Sequence, residues 1–403
     1  MAGEDDLEYR PLPDDRVEEF AATLRYAFRP EAGPFDPERW GGPTPPDRPG
    51  ERRGLFDGDD PLSVCRHYFW DGSVRDRSMT IAGLSAVATP PEHRRQGLVR
   101  RLAAESLAEY RERGAPIATL WPFAHGFYAR LGWAISNRYA TVECPPAALS
   151  FGREAAGAGR FRQLDPDDWR GMADVLAAND ADHELAIERP EEWWHDRVFH
   201  RWGDDPYVYG WERDGELRGY LAYSVEDDGD GKVLDAKEVA AADREAGHAC
   251  LGFLADHDSQ VERVRIYGPP DASLLDRVAD PGEVEVRIRA GPMVRVVDVP
   301  AALESIAYPA EADADLVLAV GDSLADWNDG AFRLRVEDGE ATVEDAADDP
   351  DAEVGIGPLS QLVVGYRTGE TLAEAGELSG DEGAIDALDR LFPAREPFLR
   401  ERF

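Results

Sequence analysis

Lysine is nearly absent from this sequence. Of 44 basic residues in the 403-residue chain, Lys232 and Lys237 are the lysines and the rest are arginine. Cysteine is scarce as well. Cys65, Cys144 and Cys250 are odd in number and far apart, which argues against a disulfide framework and against a cysteine-based zinc site. No stretch approaches the ~18 consecutive apolar residues of a membrane-spanning helix. The opening MAGEDDLEYR lacks the basic and apolar regions of a secretion signal. The chain therefore reads as cytoplasmic, with no membrane partner. No self-similarity recurs at a period of ~20–50 residues, so a solenoid is excluded. His183-Glu184 begins like a His-Glu-x-x-His zinc motif, but Ile187 stands where the second histidine belongs, so no metal is expected.

What is plentiful is acid. Asp and Glu number 82, for a net charge of −38. Such a field repels phosphates and disfavours a nucleic-acid partner. Dense carboxylates on a nearly lysine-free surface resemble a halophilic protein's, where molar salt screens their repulsion. Most acidic clusters, including 227–231, are accordingly read as solvation or turns. Hydrophobic residues still make up 43% and aromatic ones 9%, enough for real cores, and the length suits two or three domains.

The pattern along the chain gives a strand at 7–11, an amphipathic helix at Val17–Phe28, and a Pro-, Gly- and Asp-rich excursion at 29–60. Strands are expected at 63–69 and 79–87, with Asp71-Gly72 as the turn between them. Val99, Leu102, Ala103, Leu107 and Tyr110 form one apolar face of a helix over 97–113, ended by Gly114 and Pro116. A short buried strand follows at 117–121. The Pro-, Ala- and Gly-rich stretch 143–159 reads as a linker. A second unit opens like the first and contains a hairpin turning at Asp214-Gly215. In it His195 and His200 read as surface histidines, and Trp193, Trp194 and Trp202 as aromatic core. A third unit, from about residue 300, has strands first and helices later.

The informative stretch is Val87-Ala88-Thr89-Pro90-Pro91-Glu92-His93-Arg94-Arg95-Gln96-Gly97-Leu98. A β-branched strand ends, a loop with Arg and Gly follows, and a long helix starts at once. This arrangement aims backbone N–H groups and the positive helix end at one point, which suits a pyrophosphate. In a chain of net charge −38, the cluster Arg94, Arg95, Arg100 and Arg101 is a local anomaly.

These residues resemble motif A of the GNAT acetyltransferase superfamily, Arg/Gln-x-x-Gly-x-Gly/Ala. Arg94-Arg95-Gln96-Gly97-Leu98-Val99 fills it, with Val99 in place of the second small residue, a departure familiar in the Eis (enhanced intracellular survival) branch. Ala124-His125-Gly126-Phe127-Tyr128-Ala129-Arg130-Leu131-Gly132-Trp133 is similar to the family's aromatic-Tyr-x-x-x-Gly-aromatic segment. The resemblance spans the chain. It implies an α/β (α+β) architecture: a GNAT domain at 1–155, a degenerate GNAT-like domain at 156–299, and a sterol-carrier-like α+β domain at 300–403. Central mixed sheets flanked by helices are expected in the two GNAT-like parts. The aromatic residue Phe403 at the end of the sequence fits the branch.

The resemblance further implies that Val87, Ala88 and Thr89 hold pantetheine and the thioester carbonyl of acetyl-CoA, the co-substrate. Arg94, Arg95, Gln96, Gly97, Leu98, Val99 and Arg100 would cradle the pyrophosphate. Phe123 and Ala124 would line the other side, replacing the family's usual polar pair. Tyr128 would return a proton to the departing thiolate, and the α-carboxylate of Phe403 would take one from the acceptor amine. The acceptor would be a small-molecule or lysine amine, and the assembly a homohexamer. The chemistry is compatible with these roles. An amine must lose its proton before attacking a thioester, and a phenol near pKa 10 suits a thiolate better than a carboxylic acid does. A terminal carboxylate is a weak base unless desolvated, so a water relay serves equally, as does a side chain near the 29–60 loop. A coenzyme A- or lipid-binding protein without turnover is the alternative. The second unit has no counterpart of motif A after its strand at 233–239 and is expected to bind no coenzyme A.

Overall fold

The computed structural model describes residues 7–36, 49–200, 205–271 and 273–403. Its contacts divide into two units, residues 1–137 with 292–403, and residues 138–291. The first unit is thus discontinuous in sequence and holds two sheets.

The first sheet has seven strands. In chain order six of them are β1 (Glu8–Pro11), β2 (Glu51–Asp57), β3 (Asp60–Val74), β4 (Arg77–Ala88), β5 (Ile117–Leu120) and β6 (Ala134–Ile135). The strand Met293–Val296 inserts between β5 and β6. All neighbours are antiparallel except β4 and β5. The helix Leu98–Glu112 crosses from β4 to β5 and buries Leu98, Leu102, Ala103, Leu107 and Tyr110 against one face of the sheet. This is the apolar stripe that the sequence spacing predicts. The helix Val17–Phe28 supplies Phe20 to a smaller cluster with Leu12, Phe56, Val64 and Ala88.

The expected turn at Asp71-Gly72 is displaced. Both residues lie inside β3, paired with Thr80 and Met79, and the chain reverses at Arg75-Asp76 with φ +48° and +61°. Neither residue advertises a left-handed turn as Asn-Gly would. What holds Arg75 there is tertiary: its guanidinium is fully buried and donates to the carbonyls of Leu362, Val363 and Pro393 at 3.0, 2.7 and 3.0 Å. Two of these carbonyls end the helix Ile356–Val363, where a cation also complements the helix dipole.

That helix belongs to a five-stranded sheet in the order Glu340–Asp345, Gly330–Glu337, Ala314–Gly321, Ala352–Gly355, Leu378–Gly380. Three strands come early, as expected, but the order is not strict: the helix Val299–Glu304 precedes them, and the strand Leu378–Gly380 follows two helices. Its loop residues Leu324, Ala325 and Trp327 pack into the core beneath Leu98–Glu112. A fully buried ion pair joins Arg295 of the first sheet to Asp322 of the second part.

The second unit is also a seven-stranded sheet, beginning at the edge with Glu285–Ala290 and then Arg138–Cys144. Among the described residues, Arg138–Cys144 pairs with Arg263–Gly268 and Glu285–Ala290 only. Residues 138–155, grouped by sequence with the first domain, therefore carry a strand of this sheet. The stretch read as a linker is structured: Pro146–Gly152 and Arg153–Gly157 are short helices, and Leu149 joins the core with Leu254 and Val264. The Asp214-Gly215 turn forms as expected, at φ +55° and +85°. Trp193 and Trp194 are buried; Trp202 and residues 37–48 of the Pro-rich excursion lie outside the described residues.

Candidate functional site

The site begins with a parting of strands. β4 and β5 pair in parallel at Ile81–Ile117, Ala82–Ala118 and Gly83–Thr119. β4 then runs on to Ala88 without a ladder partner on that side among the described residues. A bulge accompanies the parting: the β3–β4 register slips between Arg66–Ser85 and Val64–Ala88, and Ala86 takes φ +53°. An extra residue in one strand bends it and exchanges the faces of the residues beyond the bulge. Ala82 and Leu84 pack under the helix Leu98–Glu112, whereas Ala86 and Ala88 pack on the opposite side, with Phe20. Val87 remains half-buried on the Leu98 side. Thr89 is held by Ser63, whose hydroxyl lies 2.9 Å from that of Thr89 and 3.3 Å from the Ala88 carbonyl.

Past Ala88 the chain makes a turn at Pro91–His93 and enters the helix through two left-handed residues, Arg95 at φ +63° and Gly97 at φ +79°. A Cβ on Gly97 would touch nothing within 4 Å, so glycine is required there for backbone conformation rather than space. Among the described residues no side chain caps the helix that starts at Leu98, and residues 94–97 are exposed. Donors of the first turn are left for a ligand. The arginines differ in their present engagements. Arg94 donates to the Thr89 carbonyl at 3.0 Å and lies over the Tyr26 ring. Arg100 donates to the Ser323 carbonyl. Gln96 reaches back to the Glu92 carbonyl at 3.3 Å. Arg95 has no such partner among the described residues.

The second unit offers a contrast. Its helix Arg244–Ala255, following the strand Lys232–Ala241, is capped by Asp243, whose carboxylate accepts the Ala246 N–H at 2.9 Å. That bond and the neighbouring Arg218 hold the Asp243 carboxyl below its ordinary pKa. The position that a phosphate would take is already occupied by an anion.

Tyr128 sits in the short helix His125–Ala129. It packs in one core with Cys65, Ala82, Leu84 and Leu120. Phe127, Phe123 and Trp133 surround its ring at 5.2, 5.6 and 6.2 Å. Its hydroxyl has no protein hydrogen-bond partner among the described residues, and burial pushes its pKa well above the ordinary value. Phe123 is two-thirds exposed, and Ala124 begins the helix from an extended conformation. A cavity of about 800 Å3 borders this helix and is lined by His125, Arg130, Trp133, Ile356 and Arg367 among others; Tyr128 is not part of its wall.

Phe403 is docked, not frayed. Its ring lies 4.8 Å from Trp70 and 5.4 Å from Tyr68. A Cβ on Gly83 would come within 3.1 Å of its edge and closer still to Trp70. Gly83 is the last β4 residue paired with β5, so Phe403 covers the apex of the split. The alternation of side chains along a strand puts Phe403 on the Gly83 face and Tyr128 on the opposite Ala82 and Leu84 face. β4 and β5 part beyond Gly83 and Thr119, between these two faces.

Sequence reasoning missed three features. The bulge at Ala86 has no signature residue. Trp121 and Asn137 engage backbone groups of Glu401 and Leu399, contacts that no local pattern announces. Beneath the helix Leu98–Glu112 lies a polar cluster: Glu109 accepts from Arg53 at 2.6 and 2.9 Å and from Tyr9 at 2.7 Å. His67 is 3.0 Å from the Ser106 hydroxyl. Burial lowers the His67 pKa, so its 3.5 Å approach to Glu109 is that of a neutral imidazole. These bonds pin the helix to β1–β3. Only the spacing of Glu109 on the apolar side of the helix could have hinted at them.

Comparison with known proteins agrees with this layout. Residues 8–136 and 185–296 each match a model of an acetyltransferase (GNAT) domain, and residues 299–400 match a sterol carrier protein domain. An uncharacterized N-acetyltransferase of Streptomyces griseus is 29% identical over 345 residues, covering 79% of this chain and 81% of its own. N-acetyltransferase Eis of Mycobacterium tuberculosis is 29% identical over 330 residues, covering 78% and 79%. Among solved structures, a GCN5-related N-acetyltransferase from Anabaena variabilis superimposes with a TM-score of 0.85 at 20% identity, covering 98% of this chain and 100% of its own. Eis1 from Mycobacterium abscessus does so at 0.77 and 24%, with the same coverage. These two share the fold.

Proposed function

Because the chain belongs to the GNAT superfamily, as an Eis-type N-acetyltransferase with a C-terminal sterol-carrier-like domain, we propose that it transfers acetyl from acetyl-CoA to an amine by direct attack in a ternary complex. The observation that carries this reading is the split between β4 and β5, with a phenol on one face and Phe403 at its apex on the other.

In this reading the pyrophosphate rests on the uncapped amides at Gly97–Arg100 and on Arg95, and pantetheine runs into the split. There it takes the strand partnership that β5 gives up after Thr119. Arg100 would leave the Ser323 carbonyl or share it. The free amine attacks the thioester carbonyl carbon, and the carbon–sulfur bond breaks. The amine's surplus proton goes to the α-carboxylate of Phe403, directly or through a water. The thiolate takes the Tyr128 proton. Tyr128 suits that role because it has no competing protein acceptor among the described residues and burial keeps it protonated well past neutral pH. The acceptor would be a small-molecule or lysine amine, and a homohexamer belongs to the same proposal.

The test is thiol release from acetyl-CoA with a panel of amines in high salt. Tyr128→Phe and deletion of Phe403 are each expected to lower kcat by about 100-fold, a typical share for one acid or base, with acetyl-CoA binding kept. Tight acetyl-CoA binding without thiol release for any amine would overturn the proposal. Sedimentation at the same salt concentration decides the assembly.

A further inference from the structure

We infer that Trp121 is a positioning residue for this transfer, holding the last residues of the chain so that Phe403 stands at the apex of the split. The inference rests on the acid–base roles proposed for Tyr128 and Phe403. β5 ends at Leu120, and Thr119 is in register with Gly83. Parallel neighbours in register share a face, and side chains alternate along a strand, so Trp121 emerges on the face that carries Gly83 and Phe403. Its indole N–H donates to the Glu401 carbonyl, and its ring lies 4.8 Å beneath the Arg402 guanidinium. A second tether comes from Asn137, whose Oδ1 accepts the Leu399 N–H at 3.1 Å. Phe398, Leu399 and Glu401 are buried.

These contacts have a consequence for geometry. A residue spans about 3.3–3.6 Å of extended chain, so a carbonyl held at residue 401 leaves a single intervening residue, Arg402, before Phe403. Rings at Tyr68 and Trp70 seat the Phe403 side chain, and Trp121 holds the backbone that delivers it. Without the indole N–H, the final residues lose one of the tethers that hold them, and the carboxylate shifts from its place. A misplacement of about 1 Å is enough to cost on the order of 100-fold in rate.

Trp121→Phe keeps an aromatic ring for Arg402 and removes the N–H. The expected result is a fall in kcat of about 10-fold or more, KM for acetyl-CoA within about twofold, and a displaced acidic limb in the pH profile of kcat. The alkaline side is expected to stay put. A merely structural role would lower melting temperature and leave the pH profile in place. Release of phenylalanine by a carboxypeptidase gives a readout independent of turnover. It is expected to be slow in the native wild-type protein and at least about 10-fold faster in Trp121→Phe. If the native wild-type protein loses Phe403 as fast as the denatured chain, the inference is overturned, whether or not the variant folds. If deletion of Phe403 abolishes turnover while Trp121→Phe matches wild type in kcat, pH profile and phenylalanine release, the positioning role falls and the acid–base reading stands. Full activity without Phe403 overturns that reading itself.

Discussion

Tyr128 lies among Phe123, Phe127 and Trp133 with no hydrogen-bond partner for its hydroxyl among the described residues, and the same burial that shields it governs the thiols. Desolvation disfavours charged forms, so Cys65 is pushed up to about 12, Cys144 to about 11 and Cys250 to about 12. At pH 8 all three are protonated and therefore poor nucleophiles, and a rise in pH restores thiolate only at strongly alkaline values. Native protein is thus expected to leave its three cysteines unmodified by an aromatic disulfide reagent at pH 8, while unfolded protein reacts at all three. A thiol that titrates quickly in the native state would contradict the packing described for it. The same property matters in practice, because thiol release from coenzyme A can then be followed without background from the enzyme. Among the site residues, Gly97 and the Arg94–Arg100 cluster were legible in the sequence, since a left-handed glycine before an apolar-striped helix has local signals. Phe403 could be named from resemblance, but its seat against Gly83, Tyr68 and Trp70 was beyond local reading.

At the level of elements, the β3–β4 hairpin shows how a distant part of the chain decides a local conformation. The strands' alternation was readable, yet the turn lies four residues beyond Asp71-Gly72, at Arg75-Asp76. A buried guanidinium whose Nε and Nη2 donate to three carbonyls from residues 362–393 outweighs the turn preference of Asp-Gly. Arg75→Ala would remove the donor that serves the Val363 and Pro393 carbonyls in a closed environment, while the Leu362 carbonyl keeps the Gly365 N–H at 3.1 Å. It is expected to destabilise the protein by about 3 kcal/mol or more, measurable as a lower midpoint in urea. Arg75→Lys, which cannot fork to several carbonyls at once, should recover only part of this. An unchanged midpoint for the alanine variant would mean that the hairpin tip does not depend on this contact. The short helices within 145–157 make a similar point. Their Pro, Ala and Gly content reads as a linker, and only the contact of Leu149 with Leu254 and Val264 gives them a place.

For the whole molecule, charge is the dominant quantity. A net charge of −38 means that compaction works against self-repulsion, which salt screens: the Debye length falls from ~10 Å at 0.1 M to ~3 Å at 1 M. Melting temperature is expected to rise as KCl is raised from about 0.1 to 2 M. The rise should be steepest at the low end, where screening changes most. Sodium chloride should act almost equally well, because the effect is one of ionic strength. A melting temperature indifferent to salt would remove the halophilic reading of this composition while leaving the fold untouched.

The sequence by itself determined what depends on near neighbours in the chain: the striped helix Leu98–Glu112, the exposed glycine-led loop before it, the Asp214-Gly215 turn, and the alternating strands within 314–345. Each stems from spacing or backbone preference over a few residues. The tertiary structure alone decided what depends on residues that meet only after folding. It set where β4 and β5 part, inserted Met293–Val296 into the first sheet, placed Arg75 inside the sterol-carrier-like part and laid Phe403 over Gly83. The physical reason is range: local preferences amount to fractions of a kcal/mol per residue, whereas burying a guanidinium or an aromatic ring against a distant partner changes stability by several.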